Sequence, residues 1–419
     1  MTDDSVIARR IKLGGEHFNG DRDVYETCGY PRELDVKKMR ERFDRGDIAH
    51  AIVTAYPDAT WREKPPLKAP EAITAQWNAL DKRLGLWGRI KRLDTLTQLG
   101  HYGVLLLGLD GGEPLDTPAT GSNYKLLYAQ PHSSRTAEIT EWETNTSSPR
   151  FGAPKTYRIT TGNEWTGTGG GQRVLTVHHS RVIHVVDGAL ESDYIGEPLL
   201  QRGYNRLMDI EKLAGGSAEI FWQNAAQILA FIASADAEFD EKDAEKMQSQ
   251  IDEMQHKLRR ALRLRGVDVK NIAAGLQGST PRDHFNVQID LLAATYRVPK
   301  RILIGNEAGE LASTQDETAW QSRIAERRTF YADPCVLHPL ISRLQQFGVL
   351  PSGDVEIDWP ETDALGEKGR AEVAEITSRA VNQYTAARAS GGEDVLAPDE
   401  FRNIFGLGPL RLPYDGDML

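Results

Sequence analysis

The sequence predicts an α+β chain whose strand-rich first half gives way to long helices, and three observations carry that prediction. Short alternating apolar runs separated by Gly, Ser and Pro clusters recur up to about Tyr194. Beyond Gly196 the apolar residues recur at three- and four-residue steps, the spacing of one helix face. Between two of those helices lies a short β-α-β pattern. At 419 residues with 40% apolar content, the chain can bury a large core, and its length suggests two or three domains.

Taken in order, Leu34, Met39, Phe43 and Ile48 mark an amphipathic helix from Leu34 to Val53, which the Tyr56 to Trp61 segment is expected to end as a turn. Pro65, Pro66 and Pro70 mark a linker. Ala72 to Leu109 reads as further helix running into an apolar strand that stops at an Asp-Gly turn. The runs "YKLLYAQ", "KTYRIT" and "RVLTVHHSRVIHVV" read as strands. Leu199 to about Gln227 is a helix with Tyr204, Leu207, Ile210, Ala214, Ser217 and Phe221 on one stripe.

"QILAFIAS" then reads as a strand able to pair with "GVDVKNI". Between them, Asp240 to Arg265 carries Met247, Ile251, Met254, Leu258 and Leu262 in a narrow helical stripe. Its acidic start (Asp240, Glu241, Asp243, Glu245) and basic end (Lys257, Arg259, Arg260, Arg263, Arg265) suit the helix dipole. Thr280 as N-cap and Pro281 at the first helical position open a helix that should end before Pro299. A polar, Gly-punctuated loop, "GNEAGELAS", follows. Ser313, with Asp316 three residues on, opens the next helix, which meets Pro334 and Pro339, where a kink or break is expected, and stops at Gly348. "DVEIDWP", a helix near Glu367 to Ala389 and "APDEFRNIFGLGPL" complete the chain.

Composition narrows the function. A net charge of −11 argues against a protein that wraps nucleic acid over its whole surface, because such binding draws on Lys and Arg. No window approaches the roughly 18 to 20 apolar residues of a membrane span, and the acidic start Met1-Thr2-Asp3-Asp4 has the wrong sign for a signal peptide. A soluble intracellular product is the expectation. Cys28 and Cys335 lack the spacing of a disulfide framework or a zinc site, and no cofactor is expected.

From about Val177 to Leu410 the order of motifs resembles tailed-phage portal proteins, in particular a prophage portal family first described as a domain of unknown function. "VHHSRVIHVVDG" at Val177 to Gly188 is similar to that family's strand before its central helices. "YIGEPLLQRGYNRLMDIEKLAGGSAEIFW" at Tyr194 to Trp222 resembles its first stem helix. "RVPKRILIGNEAGELASTQDETAWQSRIAERR" at Arg297 to Arg328 resembles its most distinctive stretch, and "DEFRNIFGLGPL" its terminus. The resemblance implies a portal fold with a mixed α/β wing, a helical stem, a small β-α-β clip and a helical C-terminal crown. On this sequence the wing is 1–195, the stem helices 196–227 and 279–299, the clip 228–278, the tunnel loop 300–314, a long wing helix kinked at prolines 315–350, and the crown 351–419.

The implied function is a ring, a dodecamer of identical chains, at the capsid vertex of a virion assembled in the bacterial host cytoplasm, through which double-stranded DNA is packaged and ejected. The implied partners are the terminase large subunit, the major capsid or scaffolding protein and the head-tail connector, with no membrane. Asn306, Glu307 and Glu310 would line the channel, where acidic or small polar residues let a duplex slide. Lys300 and Arg301 beside them could touch phosphates or cap the preceding helix. Lys257, Arg259, Arg260, Arg263 and Arg265 would form the docking end of the clip helix.

The enzyme alternative is a two-histidine phosphoesterase acting on cyclic nucleotides, with His132-Ser133-Ser134 and His178-His179-Ser180 as the two motifs. Both motifs lie inside the portal-like order of elements, and so short a pattern arises readily in a chain with ten histidines. Metal binding by His178, His179 and His184 is disfavoured, because strand alternation would put His179 on the opposite face from the other two. The Gly-rich Gly167 to Gln172 segment lacks the Lys of a phosphate-binding loop. A coiled-coil adaptor would explain the Met247 to Leu262 stripe but not the Arg297 to Arg328 stretch.

Overall fold

The computed structural model describes residues 23–161, 173–225, 229–233, 245, 249–250, 267–271, 281–305, 312–360 and 367–389. The chain divides into two compact units, Met1–Ala308 with Arg328–Asp358, and Gly309–Arg327 with Trp359–Leu419.

The first unit opens with α1 (Val24–Cys28), whose N-cap Asp23 accepts from the Tyr25 and Glu26 backbone N–H groups. The single helix expected over Leu34–Val53 is in fact two, α2 (Val36–Arg45) and α3 (Asp47–Thr60). Gly46 between them is extended, with φ −95° and ψ 125°, and its N–H closes α2 on Arg42 O at 2.7 Å. The turn expected at Tyr56–Trp61 is helical as far as Thr60 and includes Pro57. Burial of Ile48, Ile52, Val53 and Ala55 outweighs the one helical hydrogen bond that proline removes. The next helical stretch is likewise divided, into α4 (Glu71–Leu84) and α5 (Leu86–Leu99), by left-handed Gly85.

β1 (Leu67–Lys68) pairs antiparallel with Glu356–Ile357, tying the early chain to the region expected as "DVEIDWP". β2 (Gly103–Leu109) and β3 (Leu126–Ser133) pair antiparallel. β4 (Ala137–Trp142), β5 (Pro154–Thr161) and β6 (Arg173–His178) form a second antiparallel sheet in that order. β7 (Val182–Val185) then returns to the first sheet and pairs with β2, giving the order β3-β2-β7. The sequence suggests one strand through this last region. A 3₁₀ turn, His179–Arg181, breaks it and sends its halves to different sheets.

The two sheets share a core of Tyr102, Val104, Leu106, Ala137, Tyr157, Ile159, Val177 and Val182. Full burial of such side chains contributes about 1.5–3 kcal/mol for each large one. The opposite face of β2 takes α5, and Gly103 is what lets the helix approach. A Cβ there would stand 2.1 Å from Thr97 Oγ1 and 3.1 Å from Leu93 Cδ1.

After a short hairpin, β8 (Ala189–Ser192) with β9 (Ile195–Gly196), the chain enters α6 (Tyr204–Ala225), which packs against α7 (Pro281–Tyr296). Tyr204, Leu207 and Ile210 are buried on the first, and Ile289, Leu292 and Tyr296 on the second. Between them, β10 (Leu229–Ala233) pairs antiparallel with β11 (Val267–Asn271), the partnership the sequence suggests. α8 (Lys300–Ile304) packs on α3 and α7. Where a kink or break is expected at Pro334, the chain instead forms a ten-residue π-helical stretch, Arg328–Leu337. The helix His338–Gln346 continues from it with Pro339 in its first turn, and left-handed Gly348 follows.

In the second unit, the helix expected from Ser313 spans Ala312–Arg327 and buries Trp320 and Ile324, and a further helix covers Glu367–Ala389. No helix among the described residues is long and apolar enough to cross a membrane.

Candidate functional site

The loop proposed from sequence begins at a firmly held root. Tyr296, at the end of α7, is buried, and three contacts converge on it. The Gly203 backbone N–H donates to its hydroxyl at 3.0 Å, that hydroxyl lies 3.5 Å from Leu200 O, and the Tyr56 hydroxyl donates to Tyr296 O at 3.0 Å. Burial raises the phenol's pKa well above its ordinary value, so the hydroxyl stays protonated. Arg297 takes a left-handed conformation, φ 52°, and turns the chain out of α7 into Pro299 and α8. Leu303 anchors α8 in the core, and Gly305, with φ 84°, ends it with its N–H on Arg301 O at 2.9 Å.

Of the residues assigned to the loop, Lys300 and Arg301 lie on α8, and Asn306, Glu307 and Glu310 lie outside the described residues. Lys300 is drawn back onto α7, with Nζ 3.3 Å from Asp290 Oδ1 and 3.2 Å from Asn286 Oδ1. Its ammonium is engaged there by side chains in the middle of α7. Arg301 is half-buried. Lys257, Arg259, Arg260, Arg263, Arg265 and the Met247 to Leu262 stripe also lie outside the described residues. What stands on either side of them is the β10–β11 pair, in register from Leu229 opposite Asn271 to Ala233 opposite Val267.

The histidines fall into separate settings. His132, on β3, pairs across the sheet with Val104, and His184, on β7, pairs with the same residue from the other side. His184 is enclosed by tyrosines. Its Nε2 meets Tyr194 O at 2.9 Å, its Nδ1 meets the Tyr157 hydroxyl at 3.1 Å, and the Tyr102 ring lies 4.7 Å away. Burial pushes both His132 and His184 down to about 4. His178 ends β6, in the other sheet, so the two motifs required by the enzyme alternative stand in different sheets. The alternation used to separate His179 from its neighbours does not apply, because His178 and His184 no longer share a strand. Among the described residues, no group of three or more His, Cys, Asp or Glu is placed to hold a metal ion.

Sequence reasoning missed a cationic cluster around His178 and His179. Their ring centroids lie 4.2 Å apart with the planes tilted by 41°, and His178 Nδ1 lies 3.0 Å from Ser180 Oγ. Arg343, from the helix His338–Gln346, donates to the carbonyls of His179, at 3.2 Å, and Ser180. Arg150 donates to Pro154 O at 2.9 Å. Burial first, and then the nearby Arg150, lower the pKa of His178, His179 and Arg343, with His179 taken to about 3. Arg181, almost fully buried, is paired with Glu113 at 2.8 Å, and that carboxylate also accepts from the Tyr124 hydroxyl at 2.8 Å. Residues 150, 178 and 343 are brought together only by tertiary packing, so no local pattern could have announced the cluster.

A family model described as phage portal protein matches residues 39–383. No curated protein matches the chain. Among solved structures the chain is similar to one in the neck of a native gene transfer agent particle computed with C12 symmetry. The identity is 18%, covering 90% of this chain and 94% of that one, with a TM-score of 0.53. It is also similar to a chain in the virion of the native gene transfer agent particle, at 17% identity over 90% and 95% of the two chains, TM-score 0.52. At such identities the likeness speaks for the fold.

Proposed function

The chain belongs to the phage portal protein family, and from that premise we propose that it forms a closed ring at the capsid vertex through which double-stranded DNA is packaged and ejected. The observation that carries this reading is the family match across residues 39–383. The C12 symmetry of the gene transfer agent neck supports twelve copies. A head-to-tail interface that closes on itself produces such a ring. The role is structural and the chain supplies no catalysis. Electron micrographs of the purified full-length chain should show rings with a central hole, and light scattering that finds only monomer or dimer across concentration and salt would overturn the reading.

Within that reading, 1–195 is the wing, α6 and α7 are the two stem helices, and the segment carried by β10 and β11 is the clip. Residues 300–314 are the tunnel loop, 315–350 the long wing helix and 351–419 the crown. The rigid root at Tyr296 and Leu303 supports assignment of Asn306, Glu307 and Glu310 to the channel, since a loop that meets moving DNA needs fixed ends. Lys300, paired with Asp290 at 3.3 Å, and Arg301 would flank the channel loop at its root.

The basic end of the clip segment is our proposed docking site for the terminase large subunit during packaging and for the head-tail connector afterwards. The wing would meet the major capsid or scaffolding protein. Replacing Arg259, Arg260 and Arg263 together by Glu should leave ring formation intact and abolish packaging by reversing the field that steers an acidic partner. Packaging at normal rate and normal salt would show that the cluster is only a solvated helix end.

A further inference from the structure

The cluster of Arg150, Lys155, His178, His179 and Arg343 lies in the proposed wing, where the portal reading gives it no task, and its charge is unbalanced. Arg343 is half-buried and its hydrogen bonds go to two backbone carbonyls. Arg150 is also half-buried, with a backbone carbonyl as its partner. Lys155 is exposed on β5, next to Thr156, which pairs with His178. Among the described residues none of these three cations is paired with a carboxylate. Glu113 is already committed to Arg181 and Tyr124, and Glu143, on the β4–β5 hairpin, accepts from the Asn145 backbone N–H. His179 Nδ1 and Arg181 Nε are both buried without a hydrogen-bond partner among the described residues.

Partly buried like charges are expensive unless an opposite charge completes them. The geometry therefore points to a missing oxyanion. Two sources have the right charge, DNA phosphate and a protein carboxylate. A duplex presents a continuous ladder of phosphates and needs exposed, extended cations. Here two of the three cations are half-buried, and a single acidic side chain fits that better than a duplex backbone does. The chain's own net charge of −11 means that an identical copy offers abundant carboxylates.

We propose that this cluster is an intersubunit socket, in which Arg150, Lys155 and Arg343 receive a Glu or Asp side chain from the neighbouring copy. The inference rests on the ring reading above. It gives the heterologous contact a specific electrostatic latch on the β4-β5-β6 side of the chain.

The test mixes full-length chain grown in ordinary and in ¹⁵N medium, assembles the mixture, and treats it with a zero-length carbodiimide that joins an amine to a touching carboxyl with loss of water. Mass spectrometry should find Lys155 joined to an Asp or Glu peptide in hybrid ¹⁴N/¹⁵N pairs. In parallel, Lys155→Glu should raise the protomer concentration for half-assembly by roughly tenfold or more, and 0.5 M NaCl (about a threefold shorter screening length than 0.05 M) should weaken the wild type more than the variant. Rings whose Lys155 links only within one chain, or to nothing, would overturn the socket while leaving the portal reading intact. Protection of Lys155 by a short DNA duplex without any effect of assembly would assign the site to nucleic acid and equally overturn it. Absence of any ring at all would remove the portal reading, and the socket with it.

Discussion

His184 holds a neutral imidazole between two tyrosine contacts, and the partners fix which nitrogen carries the proton. A carbonyl can only accept, so Nε2 donates to Tyr194 O, and Nδ1 accepts from the Tyr157 hydroxyl. Protonating Nδ1 would destroy that arrangement in a site where burial already lowers the pKa to about 4, against the opposing pull of the Tyr194 carbonyl. The unfolded chain takes up this proton near 6.5 and the folded chain only near 4. The contribution of His184 is therefore fully present above pH 6.5 and is lost as the pH falls towards 4. A difference of that size corresponds to about 3 kcal/mol. His132 adds a loss in the same window, with its pKa also at about 4. Urea unfolding measured from pH 7 to pH 4 should show stability falling steadily, and His184→Gln should make that slope shallower. An imidazole of His184 that titrates near 6.5 by NMR in the folded chain would refute the account.

At the scale of elements, Asp94 stitches together three segments that are distant in sequence. It is fully buried on α5 and accepts from Trp61 Nε1 at 2.7 Å, just past α3, and from the Tyr331 hydroxyl at 3.2 Å, in the π-helical stretch. Asp94→Ala would leave both donors buried without that acceptor, a loss of about 3 kcal/mol. Asp94→Asn keeps an acceptor and should lose less. Equal destabilisation by the two changes in urea titrations would mean that the carboxylate's charge, and not its hydrogen bonding, holds the elements. The boundaries of these elements were unevenly legible in the sequence. The extent of α7, the β10–β11 pair and the Glu367–Ala389 helix were all readable, because proline, β-branched runs and helical spacing are local signals. The 3₁₀ turn at His179–Arg181 was not, since its sequence contains neither Gly nor Pro. It is stabilised by the Ser180 N–H on His178 Nδ1 at 3.3 Å, a bond that leaves no periodic trace. The π-helical stretch escaped for a related reason: Pro334 announces a disturbed helix without saying whether it breaks or widens.

For the whole molecule, a ring multiplies every side chain by the number of copies, so small local charges become bands around a channel. The proposed DNA contacts were named from motif order, whereas the cationic cluster at Arg150 and Arg343 is assembled by packing across almost two hundred residues and was invisible until the fold brought it together. In the proposed ring, Glu307 and Glu310 of each copy would present a negative collar to the duplex, which repels phosphate and lets DNA slide. Changing both to Lys would replace that collar by one that draws phosphates and releases their counterions, with binding that weakens steeply as salt rises. The fold should be indifferent to the change, because the root of the loop is set by Tyr296, Leu303 and Gly305. We therefore expect the Glu307→Lys, Glu310→Lys double variant to form rings and melt within about 2 °C of the wild type, as surface changes commonly do. It should also package and release DNA more slowly, with the defect relieved by added salt. Loss of folding would make the loop a structural element, and normal packaging at low salt would show that these two residues do not face the DNA.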